Sequence, residues 1–333
     1  PTGFGYRIAD DSGFVTALGE ATLHFNPDRR KFAGKSVDMD ATESGLGYWT
    51  LSSDGLVNAF GDAELYTGSV LLHDYLYTTI GTDKFTVLDP GPPREVYCSA
   101  HGLGANVPEL PWKYNAIVGT PSGNGYWLIG QDYSDDKERI FVEAHGDAPL
   151  LYDNTSDPFW DAKTATAAAG RRTGTYSLWI GGRDGVIHRY GGAVVGGNIT
   201  LQPGEDLVSI VITDSGSGYH LLGSFGSYEA VGDATDHGDA IALLPESYRA
   251  GASNEARLKQ YSDMAISSQN DGGWLLNRGG EIFTFGNAEY FGTANGTGLR
   301  RTEGSYRDYA DIIKDLLLWS GWYLYDDDSA NIE

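Results

Sequence analysis

Residues 47–66 read Gly47-Tyr48-Trp49-Thr50-Leu51-Ser52-Ser53-Asp54-Gly55-Leu56-Val57-Asn58-Ala59-Phe60-Gly61-Asp62-Ala63-Glu64-Leu65-Tyr66. Aromatic and β-branched residues open the stretch and then meet Asp-Gly, a strong signal for a tight hairpin. A second short strand runs into Gly-Asp-Ala, which reads as another turn. The same order returns at Gly273-Trp274-Leu275-Leu276, Gly279-Gly280, Thr284-Phe285-Gly286-Asn287-Ala288 and Tyr290. A third copy holds Tyr176, Trp179-Ile180, Asp184-Gly185 and Arg189-Tyr190-Gly191-Gly192-Ala193. Weaker copies open at Gly5-Tyr6, Gly125-Tyr126-Trp127, Gly218-Tyr219 and Gly321-Trp322-Tyr323.

The Gly-Asp-Ala landmark, or a near relative, falls at Gly19, Gly61, Gly146, Gly191, Gly232 and Gly286. Small apolar stretches such as 115–119, 207–211 and 264–267 precede the Gly-Tyr-Trp strands and suit strands crowded about an axis. About four strands per ~40–50 residues is the signature of a propeller blade. The expected fold is all-β: one β-propeller domain over residues 1–333. Seven blades fit the count best, with six and eight open and a β-solenoid as the rival fold. The long step from Gly61 to Gly146 implies an irregular insertion or a degenerate blade at 70–113. Both ends of the chain fall inside a repeat, so the first and last segments are expected to close the ring and remove free sheet edges. Residues 309–318 read as a helix or as the apolar strand of the last blade.

Composition agrees with this. Glycine is 46 of 333 residues, Met only 2, and aromatics 12%. No apolar run is long enough to span a membrane. The net charge of −23 disfavours phosphate backbones and anionic lipid surfaces, so no nucleic-acid partner and no membrane insertion are expected. Cys98, the single cysteine, forbids an intrachain disulfide. The opening Pro1-Thr2-Gly3-Phe4 has no signal-peptide pattern, which favours a protein made in the cytoplasm.

The pattern of residues 47–63 resembles the GYW…DG…FGDA repeats common in actinobacterial secreted and cell-surface proteins and in some of their phages. The resemblance is strong over residues 45–69 and weak over most of the rest. It implies a propeller-like β repeat and no particular catalytic residues.

Chemical motifs weigh little beside the repeat. Gly34-Lys35-Ser36 ends like a phosphate-binding loop, but Arg29 stands where the opening glycine belongs. The seven histidines have no close metal-ligand spacing, although His145, His188 and His237 recur near the Gly-Asp-Ala landmark. Asp54, Asp62, Asp147, Asp184 and Asp233 recur at repeat positions, which points to turn chemistry rather than to a catalytic pair. Asp132, Asp135 and Asp136, and the run Asp326-Asp327-Asp328, are the weak candidates for Ca²⁺; no other cofactor is expected. Trp112, Tyr152, Phe159 and Trp160 lie outside the repeat strands and are the candidate ligand-binding aromatics. Trp49, Trp127, Trp179, Trp274 and Trp322 are expected in the blade core.

The resulting expectation is a non-enzymatic binding or structural propeller. It would serve as a virion component, a tail-tip or spike receptor-binding protein or a capsid decoration protein. Its partners would be other virion proteins, a host cell-surface glycan, or further copies on the particle. The alternatives are a secreted, cell-wall-associated propeller and a propeller glycosidase or lyase. The segment 70–113 is the expected contact with the partner or the particle.

Overall fold

The computed structural model describes residues 5–24, 35–66, 84–87, 94–97, 112–132, 139–150, 165–170, 174–193, 195–238, 260–293 and 313–318. The strands in chain order are β1 (Gly5–Asp10), β2 (Val15–Gly19), β3 (Ser36–Ala41), β4 (Tyr48–Ser52), β5 (Val57–Phe60), β6 (Lys84–Val87) and β7 (Arg94–Tyr97). They continue with β8 (Trp112–Gly119), β9 (Gly125–Asp132), β10 (Arg139–Gly146), β11 (Ala165–Gly170), β12 (Ser177–Gly182) and β13 (Ile187–Gly191). The last are β14 (Leu207–Ile212), β15 (Gly218–Gly223), β16 (Tyr228–Gly232), β17 (Tyr261–Ile266), β18 (Gly272–Asn277), β19 (Ile282–Gly286) and β20 (Ile313–Leu318).

Six antiparallel three-stranded sheets result: β20-β1-β2 (sheet I), β3-β4-β5 (II), β8-β9-β10 (III), β11-β12-β13 (IV), β14-β15-β16 (V) and β17-β18-β19 (VI). The first strands adjoin in the cycle β20, β3, β8, β11, β14, β17 and back to β20. Sheets standing radially around such a cycle form a β-propeller, as the repeat implies. Sheet I takes its innermost strand from the far end of the chain, with Tyr6 opposite Leu318 and Ile8 opposite Leu316. The segment expected as helix or strand is, over 313–318, this strand.

Two expectations about counting meet a different arrangement. Each of the six sheets in the cycle has three described strands, where the repeat implied about four. The segment following the Gly-Asp-Ala turn is hung on side chains, as described below. Seven blades were the favoured count, whereas six three-stranded sheets complete the cycle among the described residues. The segment 70–113 contributes the ladder β6-β7 and the first residues of β8; its remainder lies outside the described residues.

Sequence explains the layering. The middle strands β4, β12, β15 and β18 are buried at every position, because each is covered by a neighbouring sheet on both faces. The third strands alternate towards solvent, as in β13 and β16. Every first strand carries one extra residue where its register shifts, at Val37, Asn115, Thr166, Val208, Ser262 and Lys314. Such a bulge bends a strand and increases its twist, which suits a strand turning about an axis. Side chains and backbone also stitch neighbouring sheets. Asp38 and Asp40 of β3 accept the N–H groups of Ile117 and Gly119 of β8, each at 2.7 Å. The Ser36, Tyr114, Leu207 and Tyr261 N–H groups reach carbonyls in the hairpin of the preceding sheet, at Asp11, Ser53, Arg183 and Ser224.

The core is therefore a ring of clusters, one per interface, rather than a single centre. Trp49 meets Tyr126 between sheets II and III, Trp127 meets Leu178 between III and IV, Trp179 meets Tyr219 between IV and V, and Trp274 meets Tyr6 between VI and I. Trp322 lies outside the described residues. The I/II and V/VI clusters hold no tryptophan. Each holds instead one of the chain's two methionines, Met39 and Met264. An unbranched thioether fills irregular space that a rigid ring would leave.

Candidate functional site

The turn that ends each sheet is built the same way. Gly19, Gly61, Gly146, Gly191, Gly232 and Gly286 all take positive φ between 58° and 70°. At Gly61 a Cβ would also overlap the Leu46 carbonyl oxygen, so only glycine fits. The next residue is an aspartate in three sheets, and a Thr-x-Ser pair from the loop before the middle strand clamps it. Thr42 Oγ1 and Ser44 Oγ donate to Asp62 at 2.8 and 2.5 Å. Thr213 and Ser215 hold Asp233 at the same distances. Thr120 donates to Asp147 at 2.8 Å, together with Ser122 and with Tyr176 of the next sheet.

Burial pushes the Asp147 carboxyl up, but those three hydroxyl bonds outweigh it and hold the group below the usual range. The Ser215 bond leads in lowering Asp233. Sheet VI exchanges the partners: Asn287 stands at the turn, and Asp271 carries the charge, receiving Ser267 Oγ at 2.7 Å and Asn287 Nδ2 at 2.9 Å. Asp54 accepts from Ser52 Oγ and Asp184 from the Val186 N–H at 3.3 Å. These recurrent aspartates hold turns.

Beyond the turn runs a link to the next sheet, and a middle-strand side chain seizes one of its carbonyls. Trp49 Nε1 donates to Glu64 O at 2.8 Å, Trp127 to Pro149 O at 2.9 Å, Trp179 to Val195 O at 3.0 Å and Trp274 to Glu289 O at 2.7 Å. The tyrosine of the following sheet often takes the link from the other side. Tyr219 Oη bonds Gly197 at 2.7 Å, Tyr126 Oη reaches Tyr66 O at 3.4 Å, and Tyr6 Oη donates to Gly292 O.

Two sheets lack the indole and keep the clasp. In sheet I, Arg7 occupies the tryptophan position, and its Nε donates to Thr22 O at 2.8 Å. Its Cζ lies 5.0 Å from the centre of the Tyr48 ring. In sheet V, His220 occupies the position, and the Thr235 carbonyl is taken at 3.0 Å by the Tyr228 hydroxyl, which also lies 2.6 Å from His220 Nδ1. His220 Nε2 lies 2.8 Å from Asn270 Oδ1 of sheet VI. An amide oxygen only accepts, so Nε2 carries the proton in the neutral ring and Nδ1 is the acceptor. The single Tyr228 proton then serves Nδ1 or Thr235 O, one at a time. Burial holds His220 at a pKa of about 4, and the Asn270 hydrogen bond only partly offsets it. Asn270 has φ +57°, where the matching loops carry Gly45, Gly123 and Gly216.

The histidines expected near the turn do not converge. His145 faces Glu143 at 3.3 Å, His188 lies in β13, and His237 stacks on His220 at 5.9 Å. Among the described residues no group of three His, Cys, Asp or Glu side chains could hold a metal ion. Asp132 ends β9, while Asp135, Asp136 and the run 326–328 lie outside the described residues. Trp112 opens β8, and Tyr152, Phe159 and Trp160 lie outside the described residues.

One surface feature escaped the sequence reading. The residue after each seized carbonyl points outward. In four consecutive sheets it is large and apolar: Tyr290 (VI), Leu23 (I), Leu65 (II) and Leu150 (III), which are 54%, 55%, 38% and 62% exposed. Sheets IV and V place Gly196 and Asp236 there. The link residue after that turns back in: His24 lies 6.1 Å from Tyr48, Tyr66 5.7 Å from Tyr126, and Phe291 5.8 Å from Tyr6.

No protein-family model matches the chain, and no curated protein matches it. Among solved structures it is similar to the β-propeller domain of Cps50 (Swd1) from Myceliophteria thermophila. That match has 12% identity and a TM-score of 0.39 over 87% of this chain and 82% of that one.

Proposed function

We propose that the protein is a non-enzymatic binding propeller that serves as a virion component and docks another protein of the particle through the Tyr290-Leu23-Leu65-Leu150 arc. The arc carries this reading. Single exposed apolar side chains are ordinary, but four at one repeat position on consecutive sheets form a pattern with an edge, ended by Gly196 and Asp236. Three of the four are leucines, which suit an apolar pocket on a protein better than the faces of a sugar ring. Glu64 and Glu289 flank the arc, and the chain carries −23, so the partner presents basic residues around its pocket. The recurrent carboxylates Asp62, Asp147 and Asp233 are engaged by hydroxyls in the turns, which supports a binding role over a catalytic one. Assignment to a virion draws on the resemblance of residues 47–63 to repeats found in actinobacterial proteins and their phages.

Quantitative mass spectrometry of purified particles tests both parts. The wild-type chain should co-purify in fixed stoichiometry, and its absence sinks the virion assignment. The double change Leu65→Asp and Leu150→Asp should lower incorporation on the order of tenfold while leaving thermal melting unchanged. Undiminished incorporation removes the arc as the docking surface.

A further inference from the structure

Sheet III departs from the repeat in length. β8, β9 and β10 hold eight residues each, against four to six in the strands of the other five sheets. β10 pairs with β9 from Arg139 opposite Asp132 to Gly146 opposite Gly125, without a register shift. The Asp147 N–H donates to the Asn124 carbonyl, which sets the alternation. Odd-numbered residues of β10 therefore bond to β9, while Ile140, Val142 and Ala144 direct N–H and C=O away from the sheet. Among the described residues no strand pairs with that side. In sheet IV the link caps the matching edge: Asn198 Oδ1 takes the Ile187 N–H at 3.0 Å, and the Ile199 N–H reaches Gly185 O at 3.2 Å.

Native sheet edges are guarded by charge, proline or a bulge. Residues 140–146 contain no lysine, arginine or proline, and their pairing has no bulge. No side chain from 140 to 145 is exposed, whereas β13, β16 and β19 each turn some outward. Ile140, Val142 and Ala144 pack towards sheet IV. On the other face the Phe141 ring meets the Tyr114 ring at 5.2 Å, and Glu143 accepts the Tyr114 hydroxyl at 2.8 Å. What β10 offers outward is backbone.

We propose that the outer edge of β10 binds an extended segment of another protein as a fourth strand of sheet III, with a basic side chain of that segment beside Glu143. Main-chain pairing gives such a complex its affinity, and alternate side chains give it specificity. The Glu143 side chain is 31% exposed and lies 3.3 Å from His145; among the described residues no Lys or Arg pairs with it. A cation on the neighbouring strand completes that pairing. A second copy of this chain is a poorer occupant. Both copies would carry −23, and one self-pairing register sets Glu143 against Glu143. The backbone edge and the apolar arc are different surfaces, so either can fail alone.

The test is amide hydrogen exchange of the full chain, read at single residues, with and without a synthetic peptide. The peptide matches β10 in length, alternates valine with threonine and carries one lysine in register with Glu143. In the free chain the Ile140, Val142 and Ala144 amides should exchange far faster than those of Phe141, Glu143 and His145. At a hundredfold excess over Kd the peptide should slow all three on the order of a hundredfold. The same peptide, N-methylated on the amides that face β10, should not bind. Exchanging its lysine for glutamate should weaken binding on the order of fivefold. Glu143→Gln, which keeps an acceptor for Tyr114, should erase that preference. Protection of Ile140, Val142 and Ala144 in the free chain equal to that of their neighbours means that the edge is already covered, and overturns the proposal. So does undiminished binding of the N-methylated peptide, or no protection by the lysine peptide up to its solubility limit. Protection that grows with chain concentration alone assigns the edge to a second copy, and equal affinity for the lysine and glutamate peptides removes the basic partner.

Discussion

The four interfaces built around tryptophan differ from the two built without it. At II/III, III/IV, IV/V and VI/I one indole does two jobs, filling the interface with its rings and holding the link with its N–H. At I/II and V/VI these jobs fall to separate residues. Met39 and Met264 fill space, while Arg7 Nε and the Tyr228 hydroxyl hold the links. The fold requires a donor at one point in space, not a particular residue. The two exceptional interfaces bury a basic side chain, Arg7 or His220, where the others hold an indole.

The largest expected effect tests whether the tryptophan interfaces are the stronger ones. Trp127→Ala removes both jobs at once and should destabilise the protein by about 4 kcal/mol in denaturant unfolding. Met39→Ala, in the I/II interface, removes filling alone and should cost about 2 kcal/mol. Equal losses would erase the distinction.

Acid should single out the V/VI interface next. His220 titrates near 4 in the folded chain and near 6.5 unfolded, so the unfolded chain binds the extra proton between those values. Stability therefore falls as pH drops from about 6.5 to about 4, by about 3 kcal/mol from this residue. His24 and His188, lowered chiefly by burial, act in the same direction. The hydroxyl-held Asp147 and Asp233 act lower: their stabilisation is present above pH 3.8 and fades as pH falls through their depressed folded values. His220→Gln should flatten the upper window and leave the lower one. An unchanged profile between pH 6.5 and 4 would show that His220 is not the buried base.

Sheet I should respond with the opposite sign from sheet III. Arg7→Trp restores the repeat and removes an unpaired buried charge, so it should stabilise by about 2 kcal/mol. A loss of that size in unfolding experiments would mean that the I/II interface is shaped for the guanidinium and cannot admit a ring.

The difference between the two kinds of interface also marks what the sequence disclosed. Tryptophan, Asp-Gly and Gly-Asp-Ala recur as residue identities, so the sheets and their turns were legible, including the six landmark glycines that take positive φ. Small residues in 115–119, 207–211 and 264–267 correctly placed β8, β14 and β17 innermost. Gly5-Tyr6 and Gly218-Tyr219 were recognisable as copies, but nothing showed that Arg7 and His220 perform an indole's task. Their compensations lie far along the chain: Met39 from Arg7, and Met264 and Asn270 from His220. The link is held by side-chain donors whose reach no spacing reveals. The outward arc stayed hidden for the same reason, since its residues are equivalent only relative to the seized carbonyl.

The smallest effect is the most discriminating. Asn270 combines two opposed contributions. Its left-handed backbone would suit glycine better, by a few tenths of a kcal/mol. Its side chain meanwhile satisfies buried His220, a bond worth about 1 kcal/mol. Asn270→Gly alone should thus change stability by less than about 1 kcal/mol, on the destabilising side. In a His220→Trp background the hydrogen bond has no partner to lose, and the same change should become neutral or stabilising. The double-mutant cycle should show a coupling of about 1 kcal/mol. Zero coupling would mean that Asn270 serves its own loop, and that the asparagine and the histidine departed from the repeat independently.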